Sequence, residues 1–160
     1  MADSAAIKQS IVTVLAGSAD LQALLEKDRK GDWPVINGFK DVYTTTHEVH
    51  LPCITVFDVV ETGEISGLND GYDGSTKTKK EWFDFVCQIS CYAKTVSVVD
   101  ALAVQVEKVI LKSRSTLLAA GVKQISNPQV LPLHEPNESM GIFHKALRYR
   151  IFYILSVNIP

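Results

Sequence analysis

No run of apolar residues in this 160-residue chain approaches the ~20 that a membrane-spanning helix needs, and no basic region precedes an apolar one at its start. Even the stretch from Ile7 to Leu15 is interrupted by Lys8, Gln9 and Ser10. Neither a membrane span nor a secretion signal is expected. Cysteine is scarce: Cys53, Cys87 and Cys91 are odd in number and each lies among apolar, strand-like residues, where a thiol behaves as a small hydrophobe. That usage points to synthesis in a reducing, cytosolic compartment. An excess of charge of either sign is missing too. With 16 Lys and Arg against 18 Asp and Glu, the net charge of -2 leaves no basic footprint for phosphate, and specific nucleic-acid binding is not expected.

The signatures of catalysis and cofactor binding are equally sparse. There is no G-x-S-x-G elbow, no G-x-x-x-x-G-K-[ST] and no G-x-G-x-x-G, and no serine or cysteine nucleophile can be matched to any of the four histidines. His47, Glu48, His50 and Cys53 offer zinc donors, but His47 and His50 fall one residue short of the helical spacing that would put both imidazoles on one face. Pro52 opposes a helix there. Cys87 and Cys91 lack the C-x-x-C spacing of zinc knuckles and redox pairs and read as core residues. The window from Asp70 to Glu81 has an acid at each end, like a calcium loop. Tyr72 and Gly74 stand where oxygen ligands are needed, and Ser75 replaces the turn glycine. No metal, cofactor or enzymatic activity is expected.

What is present is an ordinary globular composition, 46% hydrophobic and 21% charged, with a length that suits one domain over residues 1–160. Ile7, Ile11, Val14 and Leu15 recur at helical spacing, with Ser4 as N-cap and Gly17 as stop. Ser18 predicts the cap of a second, short helix with Leu21, Leu24 and Leu25, ending near Lys27 to Gly31; Trp33 to Gly38 reads as a loop and Asp41 to Thr46 as a short strand. Pro52 to Glu61 is apolar on both faces, as in a central strand. From Glu81 to Lys94, Phe83, Phe85, Cys87, Ile89 and Cys91 alternate onto one face, with Asp84, Gln88 and Ser90 on the other. After Thr95, Val98, Val99, Leu102, Val106, Val109 and Ile110 trace a helix that should cover the sheet. Val122 to Leu133 reads as an extended edge segment restricted by Pro128 and Pro132. Ile142 to Val157 is a long strand, its length suggesting a bulge. It places Phe143, Leu147, Ile151 and Leu155 on one face and His144, Arg148 and Arg150 on the other. The order predicts a two-layer α+β domain, a mostly antiparallel sheet with helices packed on one face.

Between the two clearest strands lies a polar, glycine-rich stretch, Thr62 to Lys80, far longer than the roughly 2–5 residues of a hairpin loop. Long loops of this kind carry function more often than packing does. Gly67, Asp70, Tyr72, Asp73, Lys77, Lys79 and Lys80 are therefore candidate interface residues, ordering against a partner. Arg148 and Arg150 join them from the far sheet face, because burying two guanidinium groups in the core would require costly desolvation.

The arrangement resembles a known family. Leu21 to Leu25 after an N-terminal helix, the short Val42-Tyr43 segment, the Leu51 to Val56 strand, Val86 to Lys94 running into a helix, and the terminal Ala146 to Tyr153 are together similar to the tail-terminator and tail-completion proteins of long-tailed bacteriophages. The resemblance covers nearly the whole chain. It implies a virion protein, made in the host cytoplasm, that assembles as a homo-oligomeric, hexameric ring. Such a ring caps the tail tube, ends polymerisation of the tail-tube protein and joins the tail to head connector proteins. A head–tail connector or neck protein is a close neighbour of this reading; a cytosolic ligand-binding or enzymatic α+β domain using the semi-polar sheet face as a pocket is the competing class.

Overall fold

The computed structural model describes residues 3–38, 50–64, 72–73, 78–132 and 141–158. The expected α+β architecture is present: a seven-stranded, mostly antiparallel sheet among the described residues, with helices packed on one face. The helix α1 (Ser4–Ala16) buries Ile7, Ile11, Val12 and Leu15. Its N-cap is Asp3 rather than Ser4: the Asp3 carboxylate accepts from the Ala6 amide at 2.7 Å, and a carboxylate also suits the positive end of the helix dipole. Ser18 caps α2 (Ala19–Gln22) as expected, although the helix stops well before Lys27.

The segment Trp33 to Gly38, read from sequence as a loop, contains β1 (Val35–Asn37), which pairs in parallel with β2 (Cys53–Glu64). Pro34 hides this strand in the sequence, yet its carbonyl accepts from Ile54 N–H, so the proline takes part as an acceptor where it could not donate. The strand expected at Asp41 to Thr46 lies outside the described residues. Two antiparallel 16-residue strands, β4 (Thr78–Ala93) and β7 (Phe143–Asn158), form the middle of the sheet. They pair without a register shift from Thr78 opposite Asn158 to Ala93 opposite Phe143. The bulge expected in β7 is therefore absent. Register shifts occur instead in neighbouring strands, at Val59 of β2 opposite β4 and at Lys123 of β5 opposite β7.

The long connection is also shorter than the sequence suggests. β2 continues to Glu64, β4 begins at Thr78, and β3 (Tyr72–Asp73) pairs with Thr78 and Lys79. Polar residues enter the sheet here because the long neighbour β7 offers a backbone ladder along the whole of β4, and ladder bonds do not depend on side-chain polarity. On the other side of β7, β5 (Val122–Ile125) and β6 (Gln129–Pro132) share one edge, consistent with the two-proline edge segment expected there.

Thr95 caps α3 (Val96–Lys112), whose buried stripe is Val99, Leu102, Ala103, Val106, Val109 and Ile110. With α1 beside it and the short α4 (Arg114–Ala119) following, α3 covers Phe85, Cys87, Ile89, Leu147, Tyr149 and Ile151 on the sheet. Two ion pairs fasten the layers. Lys8 of α1 reaches Asp58 of β2 at 3.0 Å, and Lys145 of β7 reaches Asp100 of α3 at 2.8 Å.

All three cysteines are buried and unlinked. Burial pushes the Cys87 thiol up to about 12, and burial likewise raises that of Cys91. A thiol reagent at neutral pH should therefore modify neither in the folded protein, since the thiolate is the nucleophile and the side chains are inaccessible. Rapid labelling of Cys87 or Cys91 without denaturant would contradict this packing.

Candidate functional site

Alternation along β4 and β7 sends one row of side chains away from the helices: Trp82, Asp84, Gln88, Ser90 and Tyr92 from β4, and His144, Ala146, Arg148, Arg150 and Phe152 from β7. The row changes character along its length. At one end Tyr92 and His144 are cross-strand partners and stack with ring centroids 4.3 Å apart. Both are buried, together with Ser90, Thr55 and Ala146. In the middle, Arg148 Nε donates to Gln88 Oε1 at 2.8 Å, and Gln88 Nε2 donates to Ser90 Oγ at 2.9 Å. Gln88 is only 5% exposed, so this relay satisfies polar groups that water scarcely reaches.

The other end is open. Trp82 is 44% exposed, a high value for a large apolar side chain. Beside it, Arg150 Nε donates to Asp84 Oδ2 at 2.7 Å, Arg150 Nη2 reaches the same oxygen, and the guanidinium lies 5.2 Å from the Phe152 ring centre. Trp82, Asp84, Arg150 and Phe152 line a shallow cavity of about 180 Å³. An exposed tryptophan beside an arginine that sits over a phenylalanine ring is the composition found at the energetic centres of protein interfaces. Chemically the arrangement can grip a carboxylate or carbonyl and bury aromatic area. Among the described residues it holds no nucleophile paired with a base.

The two arginines expected on the far face are there, but they differ. Arg148 is half-buried and engaged with Gln88, whereas Arg150 is exposed at the open end. Gly67, Asp70 and Lys77 lie outside the described residues. Tyr72 and Asp73 are brought to β4 as the strand β3, and Lys79 and Lys80 lie within β4 opposite Val157 and Ser156. The sequence does not mark Asp84 and Phe152 as the partners of Arg150, or Trp82 as their neighbour at the cavity. The signal available was a tryptophan on the polar phase of an otherwise regular alternation.

A second concavity, about 440 Å³, lies between α2 and α3 on the outer side of the helical layer, with Leu24, Ala101 and Val104 among its walls and Asp20 and Asp100 at its margin. His50 and Cys53, weighed above as metal donors, do not converge: among the described residues no group of three or more His, Cys, Asp or Glu side chains could hold a metal ion. His47 lies outside the described residues. Among the described residues no helix is long and apolar enough to cross a membrane.

One solved chain, from the virion of a native gene transfer agent particle, superimposes over 92% of this chain and 94% of its own length, with a TM-score of 0.42 and 13% identity. No family model matches the sequence, and no curated protein matches it.

Proposed function

We propose that the protein is a structural component of a phage virion that forms a ring at the end of the tail tube, stops tube growth and presents a surface to the head connector. It performs no chemistry of its own in this role. The observation that carries the reading is the open end of the outer sheet face, where Trp82, Phe152 and Arg150 offer an interface surface on a rigid two-strand support. The order of elements, which resembles that of tail-terminator proteins, supports reading the assembly as a ring at the tail end. Ring closure satisfies such a surface on every copy without open-ended polymerisation. Tail-tube and head-connector proteins are the partners above and below the ring.

Native mass spectrometry of the concentrated protein, or of assembled tails, tests the proposal. Six copies per ring are expected, with assembly weakening as salt rises because Arg150 is among the contacts. A stable two-fold dimer in assembled particles would overturn it, as would a monomer that binds a metabolite.

A further inference from the structure

We infer that the groove between α4 and β5 is a docking site for an acidic amphipathic helix of another protein. The groove encloses about 240 Å³, and Leu117, Leu118, Val122 and Ile125 line it together with the cations Arg114 and Lys123. Leu117 and Val122 are buried, whereas Leu118 is 55% exposed, the highest value for a large apolar side chain among the described residues. A leucine so placed beside a concave apolar surface gains from a partner that covers it.

Charge sets the chemistry of that partner. From Lys108 to Pro132 the chain carries Lys108, Lys112, Arg114 and Lys123 and no Asp or Glu, although the whole molecule has a net charge of -2. Lys112 is paired with Asp20 at 3.8 Å, so those two offset each other and neither lines the groove. Arg114 and Lys123 do line it, are exposed, and make no ion pair among the described residues. No carboxylate stands among the lining side chains to cancel them. Two uncompensated cations beside an apolar surface match carboxylates set beside apolar side chains, and they repel a basic partner.

The form of the occupant follows from β5. It ends its side of the sheet path, but it has four residues and a register shift at Lys123, and a short edge strand with a bulge and a lysine discourages strand addition. A helix presents leucines flanked by carboxylates without needing backbone partners. Nucleic acid fits less well, because no aromatic side chain lines the groove to stack on a base and two cations engage few phosphates. A lipid surface fits less well too: α4 has six residues and offers Leu118 alone as an exposed large apolar side chain. The contact does not depend on the ring reading above.

Two peptides of about 15 residues test the inference, both with leucine along one helical face and carrying either glutamate or lysine on the other. Titrated into the isotope-labelled full chain, the glutamate peptide should shift amide resonances of α4 and β5, and the lysine peptide should not. Lys123→Glu with Arg114→Glu should weaken binding on the order of tenfold or more, and Leu118→Ser should do the same through lost apolar contact. Lys112→Glu makes the same charge change outside the groove and should alter binding by less than about twofold. The amide spectra of the variants report that each remains folded. Shifts lying elsewhere, no binding of the glutamate peptide, or an equal effect of Lys112→Glu would overturn the site. Tighter engagement of these residues by a single-stranded oligonucleotide or by phosphatidylserine vesicles would overturn the assigned occupant. A chain that forms no ring yet binds the peptide at α4 and β5 would refute the ring and leave this contact standing.

Discussion

Replacing Phe85 with alanine should destabilise the protein by about 3–5 kcal/mol, the range for truncating a buried phenylalanine. Phe85 is fully buried in the middle of β4, and its ring meets Tyr153 edge-on with centroids 5.9 Å apart. Strands lie on both sides, with Glu61 of β2 and Ile151 of β7 as its register partners. Two long neighbouring strands limit how far the backbone can collapse into the space left behind, so the cavity term should be retained. For a chain of this size the midpoint of thermal unfolding should fall by roughly 6–20 °C. Urea unfolding of the parent and variant measures the difference directly; a loss under about 1.5 kcal/mol would mean that the sheet can close around the gap.

Gln88→Leu should cost about 2–4 kcal/mol even though side-chain volume is nearly kept. The change removes the acceptor for Arg148 Nε and the donor to Ser90 Oγ at a site close to full burial. A hydrogen bond to a charged group contributes roughly 1.5–3 kcal/mol, and the serine hydroxyl left behind adds a desolvation cost. Changing both ends of the stronger bond, in Gln88→Leu with Arg148→Met, should recover part of the loss, because no half-buried cation is then stranded. A double-mutant cycle reads the coupling. Simple additivity of the two changes would show that the relay contributes little beyond packing.

Much of the architecture was legible because it follows from periodicity. The α3 stripe and the alternation of Phe85, Cys87, Ile89 and Leu147, Tyr149, Ile151 each repeat a pattern that only one face can bury. What failed was decided by neighbours rather than by local residues. Val35–Asn37 becomes a strand because β2 lies beside it, and Thr78–Lys80 does so because β7 extends past them. Val35 and Ile36 favour a strand, but the run is only three residues long behind Pro34, and Thr78–Lys80 is polar throughout. The candidate site was half legible: alternation placed Arg148 and Arg150 on the right face, but whether each is held by Gln88 or by Asp84 depends on register between residues 60 and 66 apart in sequence. The α2–α3 groove had no sequence signal beyond an unpatterned valine at position 104.

The position of β7 in chain order sets a timetable for folding. β5 and β6 precede it, yet both find their only strand partner in it among the described residues, and so does one whole side of β4. During synthesis these segments must wait for a strand that has not yet been made. Loop-closure entropy then opposes the pairing of Asp84 with Phe152 until it is repaid all at once, a recipe for slow folding from the unfolded chain. Until β7 docks, the growing chain carries an unpaired edge along the whole of β4. That interval is the one in which the polypeptide is most open to aggregation and to capture by chaperones.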